Sequence, residues 1–375
     1  MDFERSADQE LLAETVSRFL AEQAPISPYV RDRLADERGT TAPIWAGLGD
    51  LGVIGLLAPE SHGGAGMGMA DLAVVLEAMG RAVHPGPFLA SAVGAISLVT
   101  LAGAPRDHDA YLPQLASGDQ VGAVALWETG MRSHWSEPET RATPDGDFFW
   151  LDGTKVHVPD ADAADLIFVI ARRADGDLGA FVVTPDAGGV TITATPTVDA
   201  TRKEATVTLT NANARVIGEG DTTAAIAATV DRLGVAMVVD GVGAAERALE
   251  LAVEYAKERK QFDVPIGTFQ AVQHLCADML RSVELARASS YYACWACDAA
   301  DTTERHRAAT MAQAFAADSL YEVAASAIQV FGGIGFTWEH DIHLFYKRLL
   351  SLQQYAGGTI DQLEELATIV LDAGV

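Results

Sequence analysis

Cysteine is nearly absent. Cys276, Cys294 and Cys297 are the only thiols in 375 residues, too few for a disulfide framework. Basic residues are scarce as well: 26 Lys and Arg stand against 52 Asp and Glu, a formal charge of −26. So acidic a chain repels phosphodiester backbones and anionic lipid, which excludes nucleic acid and membrane faces as expected partners. No apolar run reaches the ~18 residues of a membrane span. The opening MDFERSADQE has neither the basic nor the apolar region of a secretory leader, so the expected location is cytoplasmic. Apolar residues at 49% and charged residues at 21% give a globular composition with ample core.

Three blocks differ in period. Residues 1–119 are rich in Ala and Leu at helical spacing, as in Leu11, Leu12, Val16, Phe19 and Leu20. Residues 120–218 hold short β-branched runs between Gly, Pro and Asp turns: 121–127, 165–171, 180–184, 190–195 and 205–209. Residues 219–375 return to the helical period, in segments near 222–259, 268–300, 303–331 and 342–372. Strands collected in the middle, not interleaved with helices, predict an α+β fold in which a small antiparallel β domain stands between an N-terminal helical domain and a C-terminal four-helix domain.

Few motifs carry chemistry by spacing. GGAGMG (63–68) lacks the G-x-G-x-x-G register and reads as a turn. His274, Cys276, Cys294 and Cys297 lie on helical segments where His274 and Cys276 point apart, so no metal site is expected. No G-x-S-x-G elbow occurs. Asp240 stands out: it is the one polar side chain in LGVAMVVDGVGAA (233–245). A lone ionised carboxylate in an apolar helix costs several kcal/mol. Two roles answer that cost. One is a structural ion pair, with Arg247 two turns along the same face as the nearest cation. The other is a desolvated carboxylate acting as a general base.

ERKQFDVPIGTFQAVQHLCADM (258–279) and QVFGGIGFTWEHDIHLFYKR (329–348) closely resemble the acyl-CoA dehydrogenase flavoprotein family. LGVIGLLAPESHGGAG (51–66) and KVHVPDADAADLIFVIAR (155–172) resemble its N-terminal and middle signatures, so the likeness covers nearly the whole chain. It implies FAD held between subunits and an acyl-CoA thioester oxidised to its α,β-enoyl form, for which a bulky or branched acyl chain is the candidate substrate. On this resemblance Arg259 faces the FAD pyrophosphate, and Gln261, Phe269 and Gln270 line the cofactor. Gln329, Val330, Phe331, Gly332 and Gly333 approach the adenine half of FAD in a neighbouring subunit. An electron-acceptor protein and a dimer or tetramer, of like or unlike chains, are the implied partners.

Departures from the family pattern are specific. The C-terminal stretch where many members carry a base Glu reads Tyr355-Ala356-Gly357-Gly358-Thr359. A second family position, on the long helix after the β domain, falls at Asp231 or Leu233. A third, in members that resemble actinobacterial sterol side-chain enzymes, aligns with Asp240, the expected base. The middle-domain flavin segment reads Trp127-Glu128-Thr129-Gly130-Met131-Arg132-Ser133-His134, keeping Ser133, and the next flavin contacts read His157 and Pro159. Two rival functions follow: a non-catalytic partner subunit of a heteromeric acyl-CoA dehydrogenase, or an oxidase or monooxygenase relative that needs no base.

Overall fold

The computed structural model describes residues 5–130, 135–355 and 358–372. Helices α1 (Ala7–Gln23), α2 (Arg31–Arg33), α3 (Ala42–Asp50), α4 (Met69–Arg81), α5 (Ile96–Ala102) and α6 (Pro105–Ser117) come first. Strands follow: β1 (Gly122–Ala125), β2 (Arg141–Asp145), β3 (Phe148–Pro159), β4 (Leu166–Arg173), β5 (Leu178–Val183), β6 (Val190–Thr195) and β7 (Glu204–Ile217). Helix α7 (Thr223–Glu258) leads through the short hairpin β8 (Lys260–Gln261) and β9 (Val264–Pro265) to α8 (Gln270–Ala299), α9 (Thr302–Phe331), α10 (Ile342–Gln354) and α11 (Gly358–Asp372). Local chemistry sets the ends. Ser6 Oγ accepts from the Gln9 N–H at 3.2 Å while the Gln9 side chain accepts from the Ser6 N–H at 3.0 Å, a reciprocal cap on α1. Asp301 Oδ1 accepts from the Glu304 N–H at 3.0 Å and starts α9.

One compact unit comprises residues 31–72 and 85–233. Its sheet runs β1-β4-β2-β3-β7-β5, with β5 also pairing β4 and β6 lying on β7. The pairings are antiparallel except β1–β4 and β2–β4, which are parallel, so the sheet is mixed where a purely antiparallel one was expected. The periodicity also missed β2 and β3. In β2 only Ala142 is buried, and β3 is interrupted by Gly153 and Lys155, so neither gives a continuous apolar run. Leu151, Ile167, Val169, Phe181 and Val207 fill the core inside this sheet.

The other unit comprises residues 1–30, 73–84 and 234–375. Here α4 and α7 cross with backbones touching. A Cβ on Gly80 would lie 1.9 Å from the Asp240 carbonyl oxygen, and one on Gly243 would lie 2.1 Å from that of Glu77. Alanines 308, 309, 312, 316, 324 and 327 of α9 are buried and permit similarly close packing. The segment expected as one helix over 342–372 is two. Helix α10 stops at Tyr355, whose ψ of 139° is extended, and α11 begins at Gly358 with φ +81°, a conformation glycine adopts without strain. Among the described residues no helix is long and apolar enough to cross a membrane.

Candidate functional site

The β8–β9 hairpin carries the first group of expected residues. Its two-residue turn, Phe262 and Asp263, has φ of +53° and +65°, the pattern of a type I′ turn made without glycine. Phe262 is 87% exposed at the tip and meets Phe269 edge-on, with ring centroids 6.2 Å apart. Arg259, Gln261, Phe269 and Gln270 are all exposed around this hairpin. Among the described residues the Arg259 guanidinium makes no hydrogen bond or ion pair within the chain, so its charge is available to an anion.

The second group sits at the end of α9. Gln329 and Gly333 are exposed, while Val330 and Phe331 are buried and offer a ligand only backbone. A Cβ at Gly332 or Gly333 would meet nothing within 4 Å, in contrast to the packed glycines of α4 and α7. Gly332 has φ +63°. Bare backbone beside open space suits the close approach of a flat group. Tyr255, one turn before Arg259, stacks on Phe331 with centroids 4.5 Å apart, and Phe331 meets His340 at 4.3 Å. The stack links the two groups within this chain, so each subunit carries both halves that the resemblance assigns to a site shared with a neighbour. A cation without an anion and an open glycine backbone fit the pyrophosphate and a flat ring of FAD.

Asp240 is 3% exposed, and its partner is not Arg247. Arg348 on α10, 1% exposed, donates through Nη1 to both carboxylate oxygens at 3.0 Å. Its Nη2 donates to the His84 carbonyl at 3.1 Å. Arg247 instead donates to Glu250 at 2.8 Å and Glu254 at 3.4 Å. Spacing could not find Arg348, which is 108 residues from Asp240 in sequence. The available signal was a cation placed among the apolar residues of LFYKRLL. The other helix positions considered for a base, Asp231 and Leu233, are buried.

In the sheet unit Ser133 lies outside the described residues, as do its neighbours 131–134. Glu128 faces inward. It accepts from Lys155 Nζ at 2.7 Å, from Thr140 Oγ1 at 2.5 Å and from the Glu139 and Thr140 N–H groups. Burial alone would raise the Glu128 carboxyl, but Lys155 and these donors hold it below its ordinary value. For Lys155, wholly buried, burial outweighs Glu128 and pushes the amine down to about 8. The opposite balances have one cause: among the described residues Glu128 collects four donors, whereas Lys155 finds only Glu128 and the Leu126 carbonyl. His157 sits at φ +52° in a bulge of β3 and bonds Glu204 at 2.7 Å.

Residues 63–68 form a turn with Gly63 at φ +83°. Among the described residues no cluster of His, Cys, Asp and Glu could hold a metal.

Family models match in chain order: acyl-CoA dehydrogenase N-terminal domain over residues 6–119, middle domain over 123–213 and C-terminal domain over 218–370. The acyl-CoA dehydrogenase IpdE2 of Mycolicibacterium smegmatis is 32% identical over 363 residues, covering 96% of this chain and 98% of its own. FadE34 of Mycobacterium tuberculosis, also an acyl-CoA dehydrogenase, is 32% identical over 377 residues. That match takes in 99% of this chain and 48% of FadE34. A solved variant of the Tcur3481–Tcur3483 steroid ACAD superposes with a TM-score of 0.90 at 31% identity, covering 98% of each chain. The chain belongs to the acyl-CoA dehydrogenase family, and its chemistry is the FAD-dependent oxidation of the CH–CH bond of an acyl-CoA thioester.

Proposed function

We propose that this chain is a subunit of a cytoplasmic oligomer that oxidises a bulky or branched acyl-CoA and passes electrons to an acceptor protein. The observation that carries the reading is the exposed Arg259, joined through Tyr255 and Phe331 to the open backbone of Gly332 and Gly333. Arg259 neutralises the pyrophosphate, Gln261, Gln270 and Gln329 donate side-chain amides, and Phe269 covers a ring edge. Ser133 supplies a hydroxyl from the middle segment. Bound there, FAD would supply the acceptor for a hydride leaving the β-carbon, while a carboxylate takes the α-proton. The description of the Tcur3481–Tcur3483 relative as a steroid ACAD supports a bulky acyl chain.

A second feature favours a two-chain enzyme. FadE34 is about twice the length that this chain matches, and the steroid relative carries two names. This chain has no carboxylate at Tyr355–Thr359, and Asp240 is already engaged by Arg348. An unlike second subunit completing the site accounts for both.

The experiment is FAD released per chain from wild type and Arg259→Ala, each purified from the assembled oligomer. Losing a charge-assisted phosphate contact of about 1.5–3 kcal/mol should lower retention tenfold or more. Unchanged FAD in a folded Arg259→Ala protein would reject the assignment.

A further inference from the structure

Helix α4 ends on an unusual residue. Val83 N–H bonds the Gly80 carbonyl at 3.0 Å and His84 N–H bonds the Met79 carbonyl at 2.9 Å, the paired bonds of a Schellman stop. The left-handed position of that motif normally takes glycine, yet here it is the fully buried, β-branched Val83 at φ +41°. Such a backbone persists only where its surroundings enforce it. What holds it here is Arg348, whose Nη2 grips the carbonyl of the next residue, His84, at 3.1 Å. Tyr29 stacks on the His84 ring with an interplanar angle of 5°.

Asp240 in turn fixes Arg348. Nη1 sits 3.0 Å from both carboxylate oxygens. The Asp240 backbone has little room to move: its carbonyl is pressed on Gly80, and the next residue, Gly241, leaves no space for a Cβ against Leu352, which would approach to 2.4 Å. A proton-abstracting base needs a free lone pair aimed at the substrate α-carbon, and about 1 Å of misplacement costs on the order of a hundredfold in rate. This carboxylate is buried, held on both oxygens by a guanidinium, and cannot advance.

We infer that Asp240 and Arg348 form a buried clamp that holds the strained Val83–His84 turn, so that Asp240 is a structural residue and not the base. The inference rests on the dehydrogenase reading for its kinetic arm alone.

The structural arm reads melting temperature. Val83→Gly relieves the enforced φ but also empties a fully buried site, a cavity cost that is the same whether or not Arg348 is present. In an Arg348→Lys background, where the grip on His84 is lost and the turn can relax, the relief is gone and the same substitution should lower the melting temperature by several degrees more than it does in the wild-type chain. Equal changes in the two backgrounds would show that the clamp does not enforce the turn, and would overturn the inference. The kinetic arm uses the assembled, flavin-loaded enzyme and the double variant Asp240→Leu/Arg348→Met. Single variants should melt on the order of 5–10 °C lower, because each leaves a buried charge alone. The double variant should recover most of that loss and keep flavin reduction by acyl-CoA within threefold of wild type. A double variant that recovers its melting temperature and flavin but reduces it a hundredfold more slowly makes Asp240 the base. If the double variant does not fold, the Val83→Gly comparison decides.

Discussion

Lys155 is the residue whose environment makes the sharpest pH prediction. Its ordinary value of 10.5 is lowered to about 8 by complete burial. Between those values the unfolded chain holds the proton and the folded chain does not. This group therefore makes stability rise with pH across that window, by on the order of 3 kcal/mol, and contributes no slope below it. Urea unfolding of wild type and Lys155→Met from about pH 7.5 to pH 10.5 should show wild type gaining on the variant as pH rises; a constant difference would contradict the burial argument. Neither this pair nor Asp240–Arg348 could be read whole from sequence. Asp240 announced itself as a lone acid in an apolar helix, but its cation is on another helix far along the chain. Lys155 sat in a strand whose period was masked by its own charge, and Glu128, read as a flavin-loop remnant, turns inward to meet it.

Among the elements, the α4–α7 crossing depends on glycine. Gly80→Ala would put a methyl 1.9 Å from the Asp240 carbonyl oxygen, and the helices must separate to admit it. We expect a loss of 3 kcal/mol or more, measured by thermal or urea unfolding, since overpacking that displaces backbone exceeds the ~1–3 kcal/mol typical of side-chain crowding. Gly333→Ala is the counterpart. With open space around it and no positive φ, it should leave the melting temperature within 1–2 °C of wild type (about 0.5 kcal/mol or less) while lowering FAD retention. A melting temperature equally reduced in both variants would contradict the contrast drawn between packed and open glycines. The long helices were legible because a 3.6-residue period over some thirty residues has few rivals. The parallel pairings of β1 and β2 with β4 were not, since strand direction depends on how remote segments meet and leaves no local periodicity.

At the scale of the molecule, the α–β–α block order and the family likeness agreed because they rest on different signals, composition along the chain and short motifs at its functional segments. What the motifs left open was how residues of one chain combine. The Tyr255–Phe331 stack links the Arg259 and Gly332–Gly333 groups within each subunit, and Arg348 takes up Asp240. Helices α8 and α11 also present exposed Leu280, Leu285, Ile360 and Leu363, apolar surface that an oligomer would cover. Light scattering should therefore return a dimer or larger, and a monodisperse 39.6 kDa species holding stoichiometric FAD would contradict a shared site. The most direct measurement is anaerobic: the assembled, flavin-loaded protein is mixed with a steroid side-chain acyl-CoA and its flavin absorbance followed. The thioester should bleach the flavin, with the matching α,β-enoyl-CoA formed in equal amount. Flavin that stays oxidised with every bulky or branched acyl-CoA supplied, yet is bleached by a chemical reductant, would contradict it.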